Sequence, residues 1–250
     1  MTATRRIKVR HVVPSLVTVF AICAGLTSVR MSMEGHLQTA VYLIIVAIFL
    51  DAADGKIARF LNTASPFGAE LDSLADFFNF GIAPGILIYN AFFAGSEYAN
   101  MGWLSSLILA TCCALRLARF NMTLVDDTET QKSSDYFVGV PAPALACLAL
   151  MPAFLLLIGW TSLTERSYVI AIYVILVSGL AVSTIPTFSI KHASINRQYL
   201  PMFILGAVIL VVCLVVYPWP TLVFANLLYL ASLPLSASRK AAETKDKPDD

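Results

Sequence analysis

Apolar stretches of roughly 17–25 residues recur from one end of the chain to the other, separated by short polar connections. Each is long enough to cross a bilayer as a helix. The pattern predicts about eight such spans, near residues 12–29, 37–55, 67–94, 101–120, 139–160, 167–187, 201–217 and 219–236. Pro201, Pro218 and Pro220 punctuate the last third, and the link before residue 219 is very short. The final two spans therefore read as two helices or as one re-entrant hairpin. Asp126–Asp135 is the sizeable polar internal loop, and residues 238–250 are polar and mixed in charge, a composition expected to stay disordered. The chain thus divides into a basic N-terminus (1–11), a transmembrane domain (12–237) and a cytoplasmic tail (238–250). The predicted class is an all-α polytopic membrane protein.

Composition agrees. Of the 250 residues, 58% are hydrophobic and 13% charged, against about 25% charged in soluble domains. The net charge of +1 points to no charged partner, and no nucleic acid is expected. Cys23, Cys112, Cys113, Cys147 and Cys213 all lie in apolar runs without a metal-ligand spacing, so they read as small buried residues. Arg5, Arg6, Lys8 and Arg10 precede the first span, which is read as a retained helix because no small-residue cleavage site follows. Positive charge gathers there, at Lys56 and Arg59, at Arg116, Arg119 and Lys132, at Lys191 and Arg197, and in the tail. The alternate connections carry Arg30 and Arg166 among Glu34, Glu97 and Glu165. The positive-inside rule then predicts an even number of helices with both termini cytoplasmic.

One stretch breaks the apolar pattern. DAADGKIARFLNTASPFGAELDSLAD, from Asp51 to Asp76, places four Asp, one Glu, one Lys and one Arg at the cytoplasmic end of the second span and the start of the third. Ionisable groups at a membrane are costly and mark function by default. At about 100° per residue, Asp51, Asp54, Gly55, Ala58 and Arg59 fall on one helical face. Ser65 and Pro66 read as an N-cap followed by proline at the first helical position. On the helix they open, Gly68, Asp72 and Asp76 are spaced by four and share a face. A short turn makes the two helices antiparallel, so the acidic faces can meet.

Four carboxylates in one cleft repel unless a cation sits among them. All-oxygen ligation suits Mg²⁺, Mn²⁺ or Ca²⁺, and such an ion at a membrane surface suits a phosphate-bearing substrate. Gly55, Ala58 and Gly68 leave room for a bulky ligand, while Arg59 and neighbouring Lys56 can pair with phosphate. Buried ion pairing leaves two of the four charges without a partner. An ion pathway in a transporter is the stronger rival, although transporter carboxylates usually lie near the midplane.

The spacing D-x2-D-G-x2-A-R-x8-G-x3-D-x3-D, filled by Asp51, Asp54, Gly55, Ala58, Arg59, Gly68, Asp72 and Asp76, resembles the motif of the CDP-alcohol phosphotransferase family. FGIAPG (Phe80–Gly85), RLARFN (Arg116–Asn121) and YFVGVPAPA (Tyr136–Ala144) are similar to segments of its phosphatidylserine synthase branch. The likeness extends over roughly residues 11–160, and Ser15 in PSLVT stands where that family is expected to have Asn. The resemblance implies a helical bundle of that family's kind and two divalent ions, Mg²⁺ or Mn²⁺, held by Asp51, Asp54, Asp72 and Asp76. It also implies Asp76 as general base and a CDP-lipid site formed by Gly55, Ala58, Arg59 and Gly68, with Lys56 beside it. The implied reaction transfers a phosphatidyl group from CDP-diacylglycerol to the hydroxyl of L-serine, releasing CMP. Other alcohols, such as glycerol phosphate or an inositol compound, remain open as acceptors.

A serine acceptor needs a cation for its carboxylate. Arg116 and Arg119, three apart at a cytoplasmic helix end, are the candidates, with plain membrane anchoring as the competing reading. Expected partners are CDP-diacylglycerol, L-serine and membrane lipids, with a homodimer as the assembly considered. The expected location is a bacterial inner membrane with the active site facing the cytoplasm.

Overall fold

The computed structural model describes residues 12–61, 63, 65–125, 136–183, 186–188 and 200–245. Helix α1 (Val12–Met33) and helix α2 (Leu37–Phe60) form a hairpin through a turn at Gly35. Gly35 takes a φ of 80°, a conformation open to glycine at little cost. Helix α2 buries Ala40, Val41, Ile44 and Ala47, a helical three-and-four spacing, and then Asp54 on the same side. The Ser28 hydroxyl donates to the Ala40 carbonyl at 2.7 Å and ties the pair near the turn.

Helix α3 (Pro66–Asp76) starts as the sequence predicts. Ser65 is extended, its Oγ accepts from the Gly68 N–H at 3.1 Å, and Pro66 takes the first helical position. The expected single helix over 67–94 is modified at one place. A π-helical turn (Phe77–Ile82) joins α3 to α4 (Ala83–Phe92). Pro84 has no N–H to give and its ring crowds the preceding turn. The ladder widens just before it, with the Ala83 N–H reaching back to the Phe78 carbonyl.

Helix α5 (Ala99–Val125) lies close against this segment. A methyl group on Gly81 would sit 3.0 Å from Cys113 Cβ, and one on Gly85 would sit 3.3 Å from Ser106 Cβ. Ser106 Oγ donates to the Gly85 carbonyl at 2.9 Å. Small residues on one helix thus allow the close approach that membrane helices use in place of a hydrophobic driving force. The FGIAPG segment therefore sets how near α5 comes to the acidic helix.

The predicted fifth span begins at α6 (Ala142–Ala149) and continues as α7 (Met151–Ile158), which ends at Gly159 in the left-handed region. Pro141 caps α6 and Pro143 lies in its first turn, so both mark a helix start rather than a kink. A short helix, α8 (Ser162–Glu165), leads to α9 (Ser167–Val182). The expected span to residue 187 stops early, because Ser183 is extended and Pro186–Phe188 forms strand β2. It pairs antiparallel with β1 (Tyr136–Val138), Tyr136 opposite Phe188. This ribbon is the one departure from all-α among the described residues. Helices α10 (Leu200–Val216) and α11 (Pro218–Lys245) are separate, with Tyr217 between them.

Helix α11 runs on to Lys245, past the boundary expected at residue 237. Residues 238–245 are mainly Ala, Lys, Arg and Glu, which are strong helix formers and prolong a helix already begun. The basic N-terminus 1–11, the 126–135 loop and residues 246–250 lie outside the described residues.

Phe80, Leu87, Phe93, Leu145 and Phe154 fill the interior, whereas Leu16, Phe20, Phe49, Leu104, Leu176 and Leu210 are exposed. Large apolar side chains facing outward along whole helices suit a lipid surround. Among the described residues, three helical segments, Val13–Met33, Pro66–Phe92 and Ala99–Met122, are long and apolar enough to cross a membrane, with shorter apolar helices at Ser167–Val182 and Ile204–Val216.

Candidate active site

The last turns of α2 and the second half of α3 bring the acidic residues together. Asp51, Asp72 and Asp76 each offer a carboxylate oxygen within 4.8 Å of the other two, and all three are partly buried. Two metal–oxygen bonds of about 2.0–2.6 Å placed end to end span a similar distance. Asp54 is buried and takes a hydrogen bond of 2.6 Å from the Thr18 hydroxyl of α1. It remains within electrostatic reach of Asp51 and Asp72. Among the described residues none of the four is in an ion pair; the pairing seen is Arg30 with Glu34 at the surface. Oδ1 of Asp76 is buried without a hydrogen-bond partner. A compact, all-oxygen, uncompensated donor set of this kind fits a hard divalent cation.

Beside the carboxylates lies a cavity of about 300 Å³. Its walls are Pro14, Ser15 and Thr18 of α1, the motif residues Asp54, Gly55, Ala58, Arg59, Gly68 and Asp72, and Thr63, Ser65 and Ala69. A side chain at Gly55 would point into open space, so the glycine there keeps the cavity clear. Arg59 bonds through Nε to the Gly55 carbonyl at 3.1 Å and leaves the rest of its guanidinium exposed at the rim. Lys56 is exposed and does not line the cavity. Thr63 Oγ1 is buried in the wall without a partner.

The two arginines of α5 part company. Arg116 is half-buried, its Nε has no hydrogen-bond partner, and its charge acts on Asp76. Arg119 is exposed and donates from Nη2 to the Val182 carbonyl at 2.9 Å, capping the end of α9. Asn121, two residues further on, donates from Nδ2 to Ser73 Oγ at 3.1 Å, which pins α5 to α3 between Asp72 and Asp76.

The sequence motif thus appears as one wall and one carboxylate cluster, but its partners on α1 were not legible in advance. Thr18 sits in a mainly apolar run, and nothing in the spacing of that run singles it out.

The motif carries a family profile across almost the whole chain: the CDP-alcohol phosphatidyltransferase profile matches residues 11–238. The chain belongs to this family. It is 36% identical over 237 residues to a CDP-diacylglycerol–serine O-phosphatidyltransferase of Mycobacterium leprae, covering 93% of this chain and 77% of that protein. An enzyme of the same name from Mycobacterium tuberculosis is 34% identical over 234 residues, with 90% and 78% covered. Another from Bacillus subtilis is 33% identical over 189 residues, with 74% and 96% covered. The matches to the mycobacterial proteins extend well past residue 161, where the likeness noted in the sequence ends. Membership in this integral membrane family agrees with the apolar helices and the acidic cluster at the end of α2.

Proposed function

We propose that the protein is a CDP-diacylglycerol–serine O-phosphatidyltransferase, joining the phosphatidyl group of CDP-diacylglycerol to L-serine. In this reading, serine Oγ attacks the lipid-bearing phosphorus. The new P–O bond forms as the P–O bond to CMP breaks, the serine proton passes to Asp76, and CMP leaves with the electron pair. The observation that carries the reading is the cluster of Asp51, Asp72 and Asp76 beside a cavity walled by the rest of the motif. The shared name of the relatives supports serine as the acceptor.

Asp51, Asp54, Asp72 and Asp76 are the residues to hold Mg²⁺ or Mn²⁺, two ions in the fuller form of the proposal. Such ions, when bound, supply charge neutralisation at the diphosphate and at the departing CMP. Gly55, Ala58 and Gly68 make space for the CDP group, and Arg59 at the rim, with Lys56 outside it, offers positive charge to phosphate. The unpartnered Oδ1 of Asp76 suits a general base. A carboxylate is a weak base toward an alcohol, so proton transfer must be concerted with attack. Arg116, facing Asp76, is the residue to bind the serine carboxylate, while Arg119 is engaged with α9.

The proposal includes about eight membrane spans, a cytoplasmic active site and both termini on that side, which the Lys and Arg distribution supports. The test is serine-dependent release of CMP from CDP-diacylglycerol by the purified protein, with glycerol phosphate and inositol as competing acceptors. Release with another alcohol but not with serine removes the serine assignment.

A further inference from the structure

Beyond the motif, the structure places an unpartnered tyrosine hydroxyl near the site. Tyr229 lies on α11, and its hydroxyl is buried with no hydrogen-bond partner. The same is true of Arg116 Nε on α5 and of Asp76 Oδ1 on the acidic helix. Arg116 lies within electrostatic reach of both Asp76 and Tyr229, and the three groups come from three helices. A buried polar atom without a partner costs stability, and a structural tyrosine in this protein avoids that. Tyr173 donates its hydroxyl to the Leu148 carbonyl at 2.8 Å.

The face of α11 that carries Tyr229 is fixed. One turn before it, Asn226 is buried and donates from Nδ2 to the Cys147 carbonyl at 2.8 Å. One turn after it, Leu233 is buried in the core. The ring of Tyr229 packs on that core. The hydroxyl is therefore held near Arg116 by packing on both sides.

The chemistry of the three atoms is specific. Arg116 Nε–H is a donor only, the Tyr229 hydroxyl can donate, and an ionised Asp76 accepts. A ligand that satisfies all three has an anionic group facing Arg116 and Tyr229 and a donor facing Asp76. A small hydroxy amino acid has both in one molecule, with its carboxylate at one end and its hydroxyl at the other. We propose that Tyr229 is a specificity-determining residue that, together with Arg116, binds the carboxylate of the acceptor serine. This rests on the functional reading above and extends it to a helix outside the motif. It gives the C-terminal helix a part in choosing a carboxylate-bearing alcohol over a neutral one.

The experiment uses the full-length protein in mixed micelles and the variant Tyr229→Phe, which removes one oxygen and keeps the ring. Initial rates give the KM for serine and for CDP-diacylglycerol. L-Alanine, which has the carboxylate and ammonium of serine but no hydroxyl, is the second probe, as a competitive inhibitor. A hydrogen bond to a charged group is lost, so the serine KM and the alanine Ki should both rise by about ten- to a hundredfold. The KM for CDP-diacylglycerol should change much less, and kcat should fall less than KM rises. An unchanged serine KM overturns the proposal. So does a rise in serine KM with an unchanged alanine Ki, which puts Tyr229 at the hydroxyl end, or a failure of alanine to compete in the native protein. Parallel loss of kcat and of affinity for both substrates also overturns it, since that is the signature of a packing residue. A native protein that shows no serine-dependent CMP release removes the functional reading and this inference together, whereas normal serine turnover with an insensitive Tyr229→Phe removes only the inference.

Discussion

Thr18 Oγ1 donates a 2.6 Å hydrogen bond to Oδ2 of Asp54, linking the first helix to the acidic motif across 36 positions of sequence. Both residues are buried and both line the cavity. The bond fixes one oxygen of a carboxylate that has no ion-pair partner among the described residues. Thr18→Val keeps the shape and removes the donor. A hydrogen bond to a charged group contributes about 1.5–3 kcal/mol, so the KM for CDP-diacylglycerol should rise roughly ten- to a hundredfold. Thr18→Ser should stay near the native value. Equal KM values in Thr18→Val and the native protein would show that Asp54 needs no such support.

Metal dependence follows from the acidic cluster. Chelation with excess EDTA should abolish CMP release, and Mg²⁺ or Mn²⁺ should restore it. Zn²⁺ should restore less, because the donors are all carboxylate oxygens. Undiminished turnover by metal-stripped protein contradicts the assignment of Asp51, Asp72 and Asp76 as ligands.

Asp76 should separate from its neighbours in a binding assay. Asp51→Asn and Asp72→Asn should weaken both metal and CDP-lipid binding. Asp76→Asn should lower kcat by about 10²–10⁴-fold, the usual range for a lost general base, while keeping more of the CDP-lipid affinity. Titration of each variant with CDP-diacylglycerol reads the difference, and identical binding losses across the set remove the separate role of Asp76.

The two arginines of α5 should behave differently. Arg116→Ala should raise the serine KM by roughly ten- to a hundredfold, the loss of one charge-assisted hydrogen bond. Arg119→Ala should leave the serine KM alone and lower thermal stability slightly, since it removes a contact to the α9 terminus worth about 1 kcal/mol. Kinetics and a melting curve on both variants check the pair, and a serine KM raised only by Arg119→Ala reverses the assignment.

These contrasts show what could be read in advance. The cap at Ser65 and Pro66 and the shared faces of the Asp residues depend on positions within a few residues of each other, so spacing alone reveals them. The π-helical turn is different. Pro84 announces some disturbance, but the contact of Gly81 and Gly85 with α5 is a tertiary fact. The ribbon of Tyr136–Val138 with Pro186–Phe188 joins segments far apart in sequence, and short apolar runs beside helices carry no signal for it. Arg116 and Arg119 look equivalent at a spacing of three. Only the placement of α9 and of the acidic helix turns one toward a carbonyl and the other toward Asp76. Thr18 and Tyr229 lie among mainly apolar residues, and their value depends on which helix lies opposite. The polarity of residues 238–245 fits a disordered tail as well as the end of a helix.

Formation of phosphatidylserine from CDP-diacylglycerol and labelled L-serine is the most direct measurement of the whole account. The purified protein with Mg²⁺ or Mn²⁺ should release one CMP for each labelled phosphatidylserine formed, and Asp76→Asn should reduce both together. CMP release without label in lipid, or label in lipid only when another alcohol is supplied, contradicts the account.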